Sequence, residues 1–457
     1  MAKKKKQDEQ TYWQLRNIKA EKRINDGAKA LEDKLIIAYR QAQYYLTKQT
    51  RKLFDRSKKR TGLDEKEARK LLNETVSPSE LVKLKVLSEQ ISNTTLQKEA
   101  KKKLTSLAFK KRITKAEDLK AKSFLVSKQI ANVQLEKQTE FYIDVIHESY
   151  REATAESVIR QAKENAKNGL VIEVWNKKGY QFKELSTRYT KNILDSHWHG
   201  SNYSKRLWSD TEALATRLEA LFTVESMTGM SEFEMAKTIA REFDRSIGVA
   251  RRLIRTEANY MSNQAKLKAW QNRGIKYYML VAVLDLKTSK ICKNKDHKVY
   301  LVSKAVVNGA NGTYPPFHPW CRTIAIIYSK RILNLPREAI DPISGDTMPI
   351  RGATTYNEWM DKLKEKYPEE KIALQKKNIR VVIYLDFREL KRKKERGVSN
   401  EEFMNKSKEF FKDADSIIVV GMDKDGYIST FYTQLSTTQV IGMVEIAKQQ
   451  LIQEAEV

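Results

Sequence analysis

Cysteine and histidine are scarce in this chain, two and five among 457 residues, yet both cysteines and two of the histidines fall between positions 292 and 321. Cys292, His318 and Cys321 are of metal-ligand type, and the spacing His318-x-x-Cys321 lets two side chains converge from one turn. A tetrahedral zinc site needs a fourth ligand, and the nearest in sequence are Asp296 and His297. A closed structural site usually shows two close cysteine pairs, whereas here Ser289 stands three residues before Cys292 and Thr323 follows Arg322. Three readings stay open for the block. One is a structural zinc held by Cys292, His318, Cys321 and His297. Another is a proline-stiffened loop in which His318 bonds the backbone and the cysteines pack as small hydrophobes. The third is a Cys292–Cys321 disulfide, which a reducing compartment disfavours. A Cys/His nucleophilic pair has no orienting or oxyanion signature beside it, so no catalytic residue and no other cofactor is assigned.

The elements around the block must hold it. Tyr277 through Leu284 is aromatic and β-branched and predicts a strand, with Asp285 and Thr288 ending it in a turn where short polar side chains bond the backbone. Pro315, Pro316 and Pro319 stiffen the approach to His318, and Ile324–Tyr328 predicts the next strand. Upstream, Ser231-Glu232-Phe233-Glu234 is a capping-box sequence, and Phe233, Ala236, Ile239 and Phe243 are expected along one helical face. A second helix is expected from Ser246 to Gly274, the glycine suiting a left-handed cap. Arg255 and Glu257 lie inside it about 200° apart around the axis, so they serve different neighbours. A buried ion pair is the leading use for them, with phosphate contact by Arg255 second. An α+β module over 230–335 follows.

Arg255-Thr256-Glu257 on a helix, Asp285-Leu286-Lys287-Thr288 after a strand, Cys292, and Pro316-Phe317-His318-Pro319-Trp320-Cys321-Arg322 resemble, in order and interval, the motifs of the bacteriophage head-morphogenesis family, the Mu F-type minor head proteins. The resemblance covers about 230–335 and marks Arg255, Glu257, Asp285, Thr288, Pro316 and Arg322 as structural motif residues. It implies a minor head protein of the virion, near the portal vertex inside the capsid, working in the host cytoplasm during procapsid assembly and DNA packaging. The implied partners are the portal protein, other head and scaffold proteins, and phage DNA. Many members carry paired cysteines at both ends of the block, from which a metal role has been inferred. Ser289 and Thr323 depart from that pattern.

The remaining chain bounds this reading. Residues 1–130 hold 34 Lys and Arg against 16 Asp and Glu, so most of the +28 of the whole chain sits there. A region so basic attracts polyanions in a salt-dependent way, and DNA is the leading candidate; a solvated helical face is the plainer alternative. Leu31, Leu35, Ala38, Ala42, Leu46 and Leu53 recur at helical spacing, as do Leu81, Leu84, Leu87 and Ile91 after Ser77-Pro78, and Ile130, Val133, Phe141 and Val145. The expected organisation is α+β: a basic long-helix region at 1–150; a helical connector at 151–229 with a short strand at 171–175; the module at 230–335; a proline-containing linker at 336–378; and a small α/β domain at 379–457. The module is expected to fold without residues 1–130. No stretch approaches the roughly 18 apolar residues of a membrane span, and no apolar segment follows Lys3–Lys6, so a soluble protein without membrane contact is expected. Two rival functions are a nuclease or delivered toxin with its site in the C-terminal domain, and a generic nucleic-acid binder. The carboxylates at Asp386, Asp415, Asp423 and Asp425 form no compact metal set. Asp425-Gly426 reads as a hairpin turn.

Overall fold

Three long helices carry most of the chain: α1 (Ala2–Phe54), α5 (Lys115–Lys167) and α9 (Glu232–Asn272), each packed against the other two. The computed structural model describes residues 2–55, 62–110, 112–167, 184–198, 200–328 and 336–373, and beyond these only 375, 403, 407, 418–422 and 428–432. The stripe expected on α1 is the buried one: Leu31, Leu35, Leu46 and Leu53 face the bundle, with Tyr39 between them. Such a stripe cannot form a core alone; here Tyr39, Leu46 and Leu53 are closed by Val126 and Ile130 of α5 and Met235, Ile239 and Phe243 of α9, and Leu31 and Leu35 by Ile254 and Phe141. Each fully buried side chain of this size stabilises by about 1.5–3 kcal/mol relative to exposure.

Shorter helices fill in around this frame. α2 (Glu65–Asn73) starts on an Asp64–Glu67 capping box, and α4 (Thr94–Ala108) starts on Asn93, whose Oδ1 accepts from the Thr95 and Leu96 amides. α3 (Pro78–Glu89) has Pro78 in its first turn, as expected, but the Ser77 hydroxyl caps nothing and pairs with Ser79 Oγ at 2.7 Å. α6 (Thr187–Leu194), α7 (Tyr203–Ala220) and α8 (Val224–Met227) lead into α9.

The Ser231–Glu234 capping box opens α9 as expected, but two details of that stretch need correcting. Phe233 is exposed, because the cap turns Met235 inward and the buried row then runs Met235, Ile239, Phe243, Ile247, Ala250 and Ile254. No new helix starts at Ser246. Its buried hydroxyl accepts from Arg217 Nη2 at 3.0 Å, so the serine is held from the side and the helix continues unbroken. Gly274 ends the segment in the left-handed region at φ +67°, as the sequence suggested.

A three-stranded antiparallel sheet follows, with β1 (Tyr277–Val281) in the middle, β2 (Val299–Leu301) on one side and β3 (Ile324–Ile327) on the other. Tyr278 pairs with Tyr300 and with Ile327. β2 lies in what read as loop; three residues are too few for a period to show. The sheet packs on the C-terminal half of α9 and on α5 in one core that joins Tyr142, Ile146, Met261, Trp270, Tyr278, Leu280, Phe317 and Cys321. The module therefore shares its interior with α5, and with α1 through Ile24. Of this core only Ile24 lies within residues 1–130; removing them would instead uncover the Met235, Ile239 and Phe243 face of α9, which packs on Tyr39, Leu46, Val126 and Ile130.

Residues 336–372, which read as a linker, carry regular structure. β4 (Pro336–Ile340) and β5 (Thr347–Arg351) form a hairpin, and α11 (Tyr356–Lys366) begins on a Thr355–Glu358 capping box. Pro336 opens a strand and Pro349 sits in a two-stranded hairpin, positions where a missing N–H is tolerated. Ala339, Tyr356, Trp359 and Leu363 bury a small core with Leu284. The prolines masked this structure in the sequence.

Residues 373–457 form a separate unit, in which β6 (Ile418–Met422) and β7 (Ile428–Tyr432) pair antiparallel. The expected strand at 171–175 and the Asp425-Gly426 turn lie outside the described residues. The class is α+β and helix-rich. Among the described residues, no helix is long and apolar enough to cross a membrane.

Candidate functional site

β1 delivers the chain to Asp285, whose Oδ1 accepts from the Lys287 amide at 3.0 Å and the Thr288 hydroxyl at 2.9 Å, closing the expected turn. Arg322 then grips the same carboxylate with two bonds, Nη1–Oδ2 at 2.5 Å and Nη2–Oδ1 at 2.8 Å. Burial alone would raise the Asp285 carboxyl, but Arg322 outweighs it and holds the group below its ordinary range. This fork joins the turn after β1 to the residue that leads into β3.

After the turn, Ser289 caps α10 (Lys290–Lys295): its Oγ accepts from the Cys292 amide at 3.2 Å. Cys292 lies one turn in and is buried. The second arm is the loop 305–323, and α9 holds it. The Tyr314 hydroxyl donates to the Asn263 carbonyl at 2.9 Å, and the Trp320 amide donates to Thr256 Oγ1 at 3.1 Å. The Pro315–Pro316 peptide is cis and Trp320 sits at φ +63°. So constrained, His318 and Cys321 face Cys292, and the ligand atoms of the three lie within 4.8 Å of one another. Cys292 Sγ is 3.0 Å from His318 Nε2 and 3.8 Å from Cys321 Sγ, and Ser289 Oγ is 2.8 Å from the same Nε2. Both cysteines are free thiols.

The electrostatics follow from this packing. The Cys321 thiol bonding to it is the largest influence on Cys292; burial opposes, His318 assists, and the Cys292 thiol falls to about 4. His318 is raised by its bond to Cys292, and Cys321 is pushed up by the same neighbour and by burial. His318 Nδ1 lies 2.6 Å from the Pro319 carbonyl oxygen. That contact fixes the N–H on Nδ1 and turns Nε2 toward the sulfurs, the orientation in which a histidine serves a metal.

The structure does not bring His297 to this trio. Its Nε2 lies 3.0 Å from Arg337 Nη1, and burial lowers its pKa. Asp296 is equally committed: Oδ2 pairs with Arg337 at 2.9 Å and Oδ1 accepts from the Ala282 amide at 2.8 Å. Both fourth-ligand candidates belong to a buried arginine contributed by β4. What does stand beside the trio is Ser289 and Thr323. Thr323 is buried and close enough to favour the Cys292 thiolate, yet its hydroxyl has no conventional hydrogen-bond partner. The donor set thus fits a soft divalent cation at three positions and offers only hydroxyls at a fourth.

The Arg255-Thr256-Glu257 triplet contacts three sets of neighbours. Arg255 forks onto Glu32 of α1, Nε–Oε1 at 2.5 Å and Nη2–Oε2 at 3.1 Å, and lies 5.6 Å over the Trp320 ring. Thr256 holds the loop. Glu257 pairs with Arg206 and accepts from Trp198 Nε1 at 2.9 Å. Burial raises the Glu257 carboxyl against the opposing pull of Arg206. Each of the two makes an ion pair with a different neighbour, Glu257 fully buried and Arg255 partly exposed. Thr256, Arg206, Trp198 and Arg337 were missed. Only Thr256 left a sequence signal, its place between the two charged motif residues.

Searches of curated proteins and of solved structures return no match to the chain. A family comparison does, and the matched segment runs from the last turns of α7 through α9 and the site to β3. Residues 218–326 match the family described as Phage Mu protein F like protein, a match over about a quarter of the chain that supports assigning this segment to the phage head-morphogenesis family.

Proposed function

We propose that the protein is a minor head protein acting at or near the portal during procapsid assembly and DNA packaging, within the capsid interior. The family match over 218–326 carries this reading. Burial supports a structural role: Glu257, Asp285 and Thr256, three of the motif residues, are buried and bonded to neighbouring elements rather than presented to a substrate. Quantitative mass spectrometry of gradient-purified filled particles and procapsids tests it. A few copies in both is the expected result; absence from both, with the protein present in the lysate, overturns it.

The basic N-terminal half is proposed to contact phage DNA. Lys85 on α3 and Lys98, Lys101 and Lys102 on α4 are exposed and make no ion pair with a described residue. Each phosphate neutralised by such a lysine releases counterions and steepens the dependence of binding on salt. Because α1 and α5 are part of the core, the test is substitution rather than truncation. Replacing these lysines with glutamate is expected to flatten the salt dependence of duplex binding and leave the fold intact. An unchanged salt slope would remove this surface from the reading.

A further inference from the structure

A metal role has been inferred for this block in family members with paired cysteines; what is particular to this chain is the fourth position, where Ser289 and Thr323 stand. We propose that Cys292, His318 and Cys321 bind one zinc-class cation and leave its fourth position exchangeable, on the side of Ser289 and Thr323.

The geometry supports three protein ligands. Two thiolates each about 2.3 Å from zinc at a tetrahedral angle stand roughly 3.8 Å apart, and the Cys292 and Cys321 sulfurs are 3.8 Å apart. Nε2 of His318 is held toward them by the Nδ1 contact to the Pro319 carbonyl. The three ligands come from α10 and from both ends of the His318 turn. Each is positioned by bonds outside the trio: the Ser289 cap, the Arg322–Asp285 fork, and the Thr256 and Tyr314 contacts to the loop. Such outer contacts hold ligands in place before a metal arrives. His318 is only half-buried, and Trp320 beside it is exposed, which leaves a path for an ion to enter.

The fourth position is where this chain differs from a closed site. Asp296 and His297 are held by Arg337 and would have to break a buried ion pair to reach the trio. The groups that do lie there are the Ser289 hydroxyl and the Thr323 hydroxyl, the latter buried without a conventional partner. A neutral hydroxyl is a poor zinc ligand beside thiolate or imidazole, so that position falls to water or to an added donor. Three protein ligands and one replaceable ligand is the arrangement of a site that can bind a further group, not only brace a fold.

Cobalt(II) titration of the purified full-length chain tests the proposal. One equivalent is expected to give thiolate-to-cobalt charge transfer and the strong visible absorption of tetrahedral cobalt, and zinc is expected to bleach both. Added imidazole is expected to shift the visible bands of the wild type. In Ser289→Cys a third thiolate closes the site: charge transfer rises, affinity increases by roughly tenfold or more, and imidazole no longer shifts the bands. Cys292→Ser and His318→Ala are expected to lose the equivalent, with circular dichroism reporting whether each is folded. Absence of thiolate charge transfer in both the wild type and Ser289→Cys would overturn the site. A wild-type spectrum that imidazole leaves unchanged, and that Ser289→Cys does not alter, would overturn the open position alone. Neither result depends on the copy number in particles, so the head-protein reading fails or stands separately.

Discussion

From Met235 to Ile254, α9 buries eight of twenty residues along one side and leaves the other in solvent; from Thr256 to Trp270 it is buried almost all round. The first half needs a partner on one face only, which α1, α5 and α7 supply. The second half is enclosed by α1, α5, α6, the sheet and the His318 loop, and its interior positions include Thr256, Glu257, Asn259, Ser262, Asn263 and Lys266. Burial of so many polar groups is tolerable only where most find a partner. Ser262 accepts from Ser149 at 2.9 Å, and the Asn263 amide donates to the Asn259 carbonyl at 2.8 Å. The first half is thus held by one apolar face. The second adds specific bonds at Thr256, Glu257 and Ser262 to an apolar core shared with α5 and the sheet, with Asn259 Nδ2 and Asn263 Oδ1 buried without a partner among the described residues.

The sharpest way to break that contrast is to remove a charge from each half. Glu257→Ala leaves Arg206 and the Trp198 N–H without their carboxylate and is expected to cost about 3–5 kcal/mol in denaturant unfolding. Asp244→Ala, on the solvated side of the first half, removes a half-exposed pair with Arg40 and is expected to cost about 0.2–1 kcal/mol. Equal costs would mean that the two halves do not differ in kind. Next in size is Thr256→Val, which keeps the shape but leaves the Trp320 amide unsatisfied. About 1–3 kcal/mol is expected, with faster hydrogen exchange at Trp320 and Cys321 and none at Met235; a uniform increase along α9 would argue against a local tie.

Two glycines inside helices sharpen the comparison further. A Cβ at Gly248 meets nothing within 4 Å, so Gly248→Ala is expected to stabilise by about 0.5–1 kcal/mol. At Gly27 in α1, a Cβ would stand 2.8 Å from Phe141 Cε2, so the same change is expected to destabilise. Thermal melts of both variants check the opposite signs. The last prediction concerns pH. The Glu234 carboxyl is lowered from 4.5, chiefly by the Ser231 amide, so its contribution is present above 4.5 and lost as pH falls through its folded value. The Glu257 carboxyl is raised by burial, so its contribution is present below 4.5 and lost as pH rises through its folded value. Stability measured against pH for Glu234→Gln and Glu257→Gln should differ from wild type with opposite slopes; slopes of the same sign would contradict the two environments.

This division also explains what the sequence could reveal. Period-3.6 patterns marked α1, α3 and the first half of α9 because those helices bury one face. The one-face pattern runs past Ser246 to Ile254, so burial does not mark the second helix expected from Ser246; from Thr256 on, polar residues are buried and periodicity no longer separates inside from outside. The site residues were legible as rare types at fixed intervals, and Cys292, His318 and Cys321 do converge. His297 did not join them, since proximity in sequence to Cys292 says nothing about Arg337, forty residues away on a strand hidden among prolines. Ser289 and Thr323 looked like gaps in a pattern; the structure places both beside the trio.

The continuity of α9 has one more consequence. Its 41 residues contain no proline and span roughly 60 Å. A rod of that length has no joint at which a push can dissipate. A neighbour that seizes the Met235 end is thereby mechanically connected to Thr256, and through its hydroxyl to the Trp320 peptide and the turn that carries His318 and Cys321. A tilt imposed at one end is carried toward the His318 and Cys321 side chains at the other.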